Sequence, residues 1–416
     1  MFSRVKGVAD NFFDRAYWSG VQKKIEAHLK RYNFSEIEIP ILEYVSLFER
    51  GLGMQTDVVD KQMFIMQSKN NSDESVCLRP EGTAGTMRAF IEQQASISVP
   101  CKVYCYGPMF RYERPQKGRM REFHQMNFEI IGAHSVMYDI WLIKMLYTLF
   151  LEEFAIDTFV LKINYLGQLS DRQEYVVALQ TFLENKKSDL CQTCQTRLQT
   201  NVLRILDCKS ETCQQLLQGA PALLDFFSPE TKQEWQQLCN GLQDLSVTFI
   251  HDPQLVRGLD YYNKTVFEFV STALGAQSAF CGGGRYDGLA QQLGGKQEIP
   301  AIGGAIGMER LLMVLEHQKE LLSEKRSPLI CVIPFAIEQQ TLAMLLADHL
   351  QSHGKSVDIL FDGTSIKNKM KKAHNMGAQF VLILGENEQK SNSVTVKNMI
   401  TGEEKMVLQT DVHTMI

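Results

Sequence analysis

No run in this chain is long and apolar enough to cross a bilayer. A spanning helix needs about 20 mostly apolar residues, and the most apolar stretches, such as Leu142 to Phe154, are shorter and charged, here at Lys144, Glu152 and Glu153. Arg4 and Lys6 have no apolar stretch behind them, which argues against a secretory leader. The expectation is a cytoplasmic protein with no membrane partner. Low-complexity tracts and internal repeats are lacking as well, which points to an ordinary globular composition. An excess of positive charge is also missing. With a net charge of −5, any attraction to nucleic acid must come from local basic patches. What the chain has is length: 416 residues, 44% of them hydrophobic, exceed one ordinary core, so two or three domains are expected. Its ten cysteines then read as reduced thiols, since nothing marks the chain for export to an oxidising compartment.

Trp18, Val21, Ile25 and Leu29 recur at helical spacing and predict an amphipathic helix over Tyr17 to Tyr32. Ser35 to Pro40 then alternates, Ile37 and Ile39 against Glu36 and Glu38, which predicts a half-buried strand ended by proline. From Lys102 to Gly132 two strand-like runs flank a basic loop, and residues 140–154 read as a helix. The polar, Gln- and Leu-rich stretch at about 168–245 is helical in pattern and looks like an insertion between two halves of a sheet domain. Strand character returns over Leu255 to Val270 and near Ser278 to Cys281, with a helix from Met308 to His317. Gln318 to Pro328 is charged and ends in proline, as a linker does. Beyond it, strand (Leu329 to Pro334), helix (Glu338 to His353), strand (Val357 to Phe361), helix (Ser365 to Met376) and strand (Phe380 to Leu384) alternate, which argues a small α/β domain. The expected division is residues 1–325 and 326–416.

On the second strand of the basic segment, Phe123, Gln125, Asn127 and Glu129 share one face by the two-residue period, and Met126, Phe128 and Ile130 share the other. Arg111 and Glu113 likewise share a face. Paired as a hairpin, such strands offer an aromatic ring, a guanidinium, an amide and carboxylates in a row. That face can stack a base, hold a phosphate and hydrogen-bond an amine; a solvated sheet face is the plainer alternative. Arg114, Lys117, Arg119 and Arg121 in the loop suit a nucleic-acid backbone, or mere solubility. Ala301 to Leu312 combines glycines with Arg310 at the start of a helix, and Cys281 to Leu289 is similarly rich in glycine. Both let a ligand approach the backbone closely; a buried structural arginine is the alternative.

Taken in order, these segments resemble a known family. Phe110 to Gln125 and Gly303 to Leu312 are similar to motifs 2 and 3 of class II aminoacyl-tRNA synthetases, and the helix and strand ending at Pro40 to motif 1. Leu255 to Tyr262 and Cys281 to Leu289 resemble the two peptides peculiar to histidyl-tRNA synthetases, and Arg79 to Thr83 a third family element. The likeness runs from Lys6 to the C-terminus, and its basic loop resembles the bacterial branch. It implies a class II α+β catalytic domain, an antiparallel sheet flanked by helices, with a helical insertion and a C-terminal α/β anticodon-binding domain. It implies a homodimer, and activation of histidine by Mg2+-ATP followed by transfer to tRNA(His). By resemblance, Arg111 holds the α-phosphate and carboxylate, Arg310 the ATP phosphates, and Arg257 is a further cation at the α-phosphate. Phe123 stacks on adenine beside Glu113. Glu81, Thr83 and Gln125 take the α-amino end of histidine; Glu129 and Tyr262 read the imidazole nitrogens, with Tyr261 nearby. Such paired hydrogen bonds reject analogues by roughly 10⁴-fold or more, so no editing domain is expected. Gln116 and Arg119 are candidate readers of an extra 5′ guanosine on the tRNA, and Lys367, Lys369, Lys371, Lys372 and His374 could face RNA.

Cys191 and Cys194, then Cys208 and Cys213, invite a zinc reading. The second pair, with its four intervening residues, is spaced more loosely than a ribbon knuckle, and the family insertion needs no metal. Plain thiols and no structural zinc are therefore expected. Two rival readings are a silent paralogue that regulates histidine biosynthesis and a non-catalytic RNA-binding relative. The intact Arg111, Arg257, Arg310, Glu81, Tyr261 and Tyr262 count against both, and the domain beyond residue 329 counts against the first.

Overall fold

The helical pattern near the N-terminus folds as Arg15–Arg31, burying Tyr17, Trp18, Val21, Ile25 and Leu29 along one side. The computed structural model describes residues 2–10, 14–54, 56–66, 75–275, 278–325, 327–363 and 365–416. They form two compact units, Met1–Ser323 and Glu324–Ile416. Among the described residues no helix is long and apolar enough to cross a membrane.

The main sheet of the first unit has eight strands: β1 (Ser35–Glu36), β2 (Cys101–Phe110), β3 (Glu122–Ile131), β4 (Phe159–Tyr165), β5 (Ile250–His251), β6 (Asn263–Ser271), β7 (Ala279–Arg285) and β8 (Ala301–Gly307). Their spatial order is β1-β2-β3-β8-β7-β6-β4-β5. The six inner strands pair antiparallel, and one short parallel strand closes each edge. β2 and β3 do form the expected hairpin, in register from Cys101 opposite Ile131 to Phe110 opposite Glu122. Met126, Phe128 and Ile130 of β3 are fully buried. A core of this size follows from burying one face of so wide a sheet under helices.

Several elements are shorter or different from the sequence reading. β1 covers two residues, although Ile39 still buries and Glu36 and Glu38 stay exposed. The helix Met137–Thr148 turns into a π-helical stretch at Leu149–Glu153. Leu255 to Tyr262, expected as the start of a strand, is an irregular loop, and β6 begins only at Asn263. The insertion consists of helices Leu169–Glu184, Gln192–Thr200, Glu211–Leu216 and Pro229–Asp244 joined by short turns.

The second unit has its own five-stranded sheet: β9 (Leu329–Pro334), β10 (Ser356–Ile359), β11 (Phe380–Leu384), β12 (Ser393–Asn398) and β13 (Glu404–Leu408), ordered β10-β9-β11-β12-β13. The first three are parallel, linked by the helices Gln340–Ser352 and Ile366–Asn375. β12 and β13 add an antiparallel hairpin that the sequence reading did not include. Ser365 begins the second helix by accepting a hydrogen bond from the Asn368 amide at 3.3 Å.

Candidate active site

The hairpin, β7, β8 and the loop before β6 surround one cleft. It is lined by Arg111, Glu113, Phe123, Gln125, Arg257 and Arg310, together with Arg119 and Glu268. Strand alternation brings Phe123 and Gln125 to the same face. Arg111 donates through Nε to Pro80 O at 2.9 Å, and its guanidinium lies 5.3 Å from the centre of the Phe123 ring. Arg310, at the start of the helix Met308–Val314, donates to Gly118 O and Ala279 O, each at 2.8 Å. It thereby ties the hairpin tip to β7. The neighbouring Glu309 accepts the His124 amide at 2.9 Å, fixing the same helix to β3. Arg257 pairs with Glu268 of β6. Gly282 makes room for it: a Cβ there would come within 2.7 Å of Arg257 Nη1.

Cations crowd this cleft. Burial, then the charges of Arg119 and Arg111, pull the Arg310 guanidinium below its ordinary value; burial does the same to Arg111. Four guanidiniums gathered in one cleft are suited to a polyanion with several phosphates. Arg119 is ion-paired with Glu113 and lines the cleft, whereas Gln116 lies exposed at the turn, bridged backbone to backbone with Arg119.

Beyond the arginines lies a buried polar nest. Glu81 accepts the amides of Thr83 at 2.8 Å and Ala84 at 2.7 Å, at the start of the helix Thr83–Gln93. Tyr261 Oη lies 3.4 Å from Glu81 Oε2 and 3.4 Å from the Tyr262 hydroxyl, its single proton available to one of them at a time. Thr83 Oγ1 donates to Glu129 at 2.7 Å, and Tyr286 donates to the other oxygen of Glu129. Burial pushes the Glu129 carboxyl up to about 8, against the pull of these two hydroxyls. Gly303, opposite on β8, is required: a Cβ would sit 1.5 Å from Glu129 Oε2. Gln125 Oε1 is buried without a hydrogen-bond partner. An orphaned acceptor of that kind costs free energy unless a ligand donates to it.

Two residues here were not singled out from sequence. Tyr286 was read only as part of a glycine-rich peptide, and Glu268 only as strand; its sole signal was a carboxylate between Phe267 and Phe269. The alternative of a buried structural arginine does apply next door: Arg285 is 2% exposed and pairs with Asp139 and Asp287.

The comparisons with known proteins decide the family. The family model described as histidyl-tRNA synthetase matches residues 15–311, and one described as anticodon binding domain matches residues 329–416. The chain belongs to the histidyl-tRNA synthetase family. The histidine–tRNA ligase of Acetivibrio thermocellus is 41% identical over 404 residues, 97% of this chain and 96% of that protein. That of Aquifex aeolicus is 41% identical over 380 residues, 91% of each. The apo crystal structure of S. aureus histidyl-tRNA synthetase superposes with a TM-score of 0.81 at 31% identity, covering 100% of this chain and 99% of that one. The class II catalytic fold and the C-terminal α/β anticodon-binding fold follow from this membership.

Proposed function

We propose that the chain is a histidine–tRNA ligase in which the cleft binds ATP and the buried nest binds histidine. In the first step the histidine carboxylate attacks the α-phosphate of ATP and pyrophosphate leaves. The chemistry needs positioning and charge neutralisation rather than a protein nucleophile. Phe123 would stack on adenine beside Glu113, Arg111 would hold the α-phosphate and carboxylate, and Arg310 would hold the outer phosphates. Arg257 would supply a permanent charge at the α-phosphate, released from Glu268 as the anion arrives. Mg2+ enters as part of the ATP substrate, where it needs few protein ligands.

Glu81, Thr83 and the orphaned Gln125 oxygen suit the α-ammonium group; Glu129, Tyr262 and Tyr261 suit the imidazole. The observation that carries this reading is the buried Thr83–Glu129–Tyr286 and Glu81–Tyr261–Tyr262 nest beside the arginine-lined cleft. In the second step a terminal ribose hydroxyl of tRNA(His) attacks the adenylate carbonyl, the adenylate phosphate takes the hydroxyl proton, and the carbonyl–phosphate bond breaks to release AMP. Gln116 and Arg119 would read the extra 5′ guanosine. We further read the enzyme as a cytoplasmic homodimer. The exposed Ile41, Leu42 and Tyr44 just beyond Pro40 supply an apolar surface suited to a second copy.

The test is a charging assay with labelled amino acids. Histidine alone should be esterified to tRNA(His), with the rate falling when the 5′ guanosine is removed. Charging by another amino acid, or none at all, contradicts the reading.

A further inference from the structure

The strongest cluster outside the active site is in the insertion. The sulfurs of Cys191, Cys194, Cys208 and Cys213 all lie within 4.8 Å of one another. The spacing between Cys208 and Cys213 argued against a metal, and the fold removes that objection. Cys208 ends a turn, Ser210 precedes the helix Glu211–Leu216, and Cys213 faces back from within that helix. The additional residues are taken up by the approach to the helix, leaving the thiols converging. Cys191 and Cys194 do the same at the start of the helix Gln192–Thr200.

The geometry points to a structural zinc ion bound by these four cysteines. A tetrahedral Zn–S bond of about 2.3 Å places neighbouring sulfurs about 3.8 Å apart. Cys191 Sγ and Cys208 Sγ are 3.8 Å apart, too far for a disulfide, which needs about 2.05 Å. Four thiolates on one Zn2+ leave two net negative charges, and backbone amides are in place to meet them. Cys191 N–H donates to Cys213 Sγ at 3.3 Å, and Ser210 N–H to Cys208 Sγ at 3.5 Å. Cys194 and Cys213 are fully buried, so the ion is shielded on one side. With four protein ligands no coordination position stays open, which marks the site as structural and not catalytic. Binding releases the thiol protons and changes no oxidation state.

The local fold gives the ion something to do. Helices of nine and six residues are too short to hold alone in water. Between the two cysteine pairs lies Arg204, which donates to Gly258 O and, at 3.3 Å, to Asp260 Oδ1, in the peptide that carries Arg257. Zinc would fasten the segment that supports this peptide.

The full-length protein, made without a polyhistidine tag, would be analysed for metals and then titrated with a mercurial that displaces thiolate-bound zinc. One zinc per chain, released as four thiols react, is expected. Cys208→Ser and Cys213→Ser should each lose at least nine-tenths of it, while Cys239→Ser keeps it. His353→Ala should also keep it, which separates the site from the His349, His353 and His413 group of the second unit. Should the serine variants fold poorly, Co2+ exchanged into the wild-type protein gives an independent readout: tetrahedral bands with thiolate charge transfer. No zinc in the wild-type protein, iron in its place, a Cys191–Cys208 disulfide, or zinc retained without Cys208 and Cys213 would overturn the proposal.

Discussion

Glu129 is the residue whose environment makes the most specific demand. It is a buried carboxyl held by the hydroxyls of Thr83 and Tyr286 and raised to about 8 by burial. The folded state therefore holds its proton more tightly than the unfolded chain does. The stability this group contributes is full below its ordinary value of 4.5 and is lost as pH rises to about 8. Ligand-free wild-type protein should thus lose stability relative to Glu129→Gln across that window, read from urea midpoints; parallel pH profiles would contradict it. The same substitution should raise the KM for histidine by at least about 10-fold, the scale of one hydrogen bond to a charged group, with the KM for ATP nearly unchanged.

The element that organises the cleft is the β2–β3 hairpin, and Arg310 clips its tip to β7 through Gly118 O and Ala279 O. Arg310→Ala should release that tip. Trypsin cleavage at Lys117 or Arg119 should then accelerate, since local opening sets proteolysis. The KM for ATP should rise by about 10-fold or more, as for loss of a charged contact. An unchanged digestion pattern would show that the tip is held elsewhere.

The hairpin was legible from sequence because alternation fixes which face each side chain takes: Met126, Phe128 and Ile130 inward, Phe123 toward the cleft. Leu255 to Tyr262 was not, because its apolar residues imitate a strand. Its backbone is bent to deliver Arg257 and the two tyrosines, and the contacts that bend it, from Arg204 and Asn201 to Asp260, are distant in sequence. The Glu268 and Tyr286 roles were hidden for the same reason. Each depends on a partner, Arg257 or Glu129, that only the folded sheet brings near.

At the scale of the whole molecule, each of the two units carries its own hydrophobic core. A protein ending at Ser323 should fold and still activate histidine, but should lose most tRNA charging, because the part matched as an anticodon binding domain begins at residue 329. Retained charging at the full rate would deny that part its role. The role proposed for Arg257 is to supply charge at the α-phosphate of a histidine-activating centre. Histidine-dependent exchange of labelled pyrophosphate into ATP, by the wild-type protein and Arg257→Ala, measures this step directly. The expected result is exchange driven by histidine alone, and reduced in the variant by roughly 10²–10³-fold, the cost of one preorganised transition-state contact. Exchange that ignores histidine, or that survives intact in the variant, would contradict it.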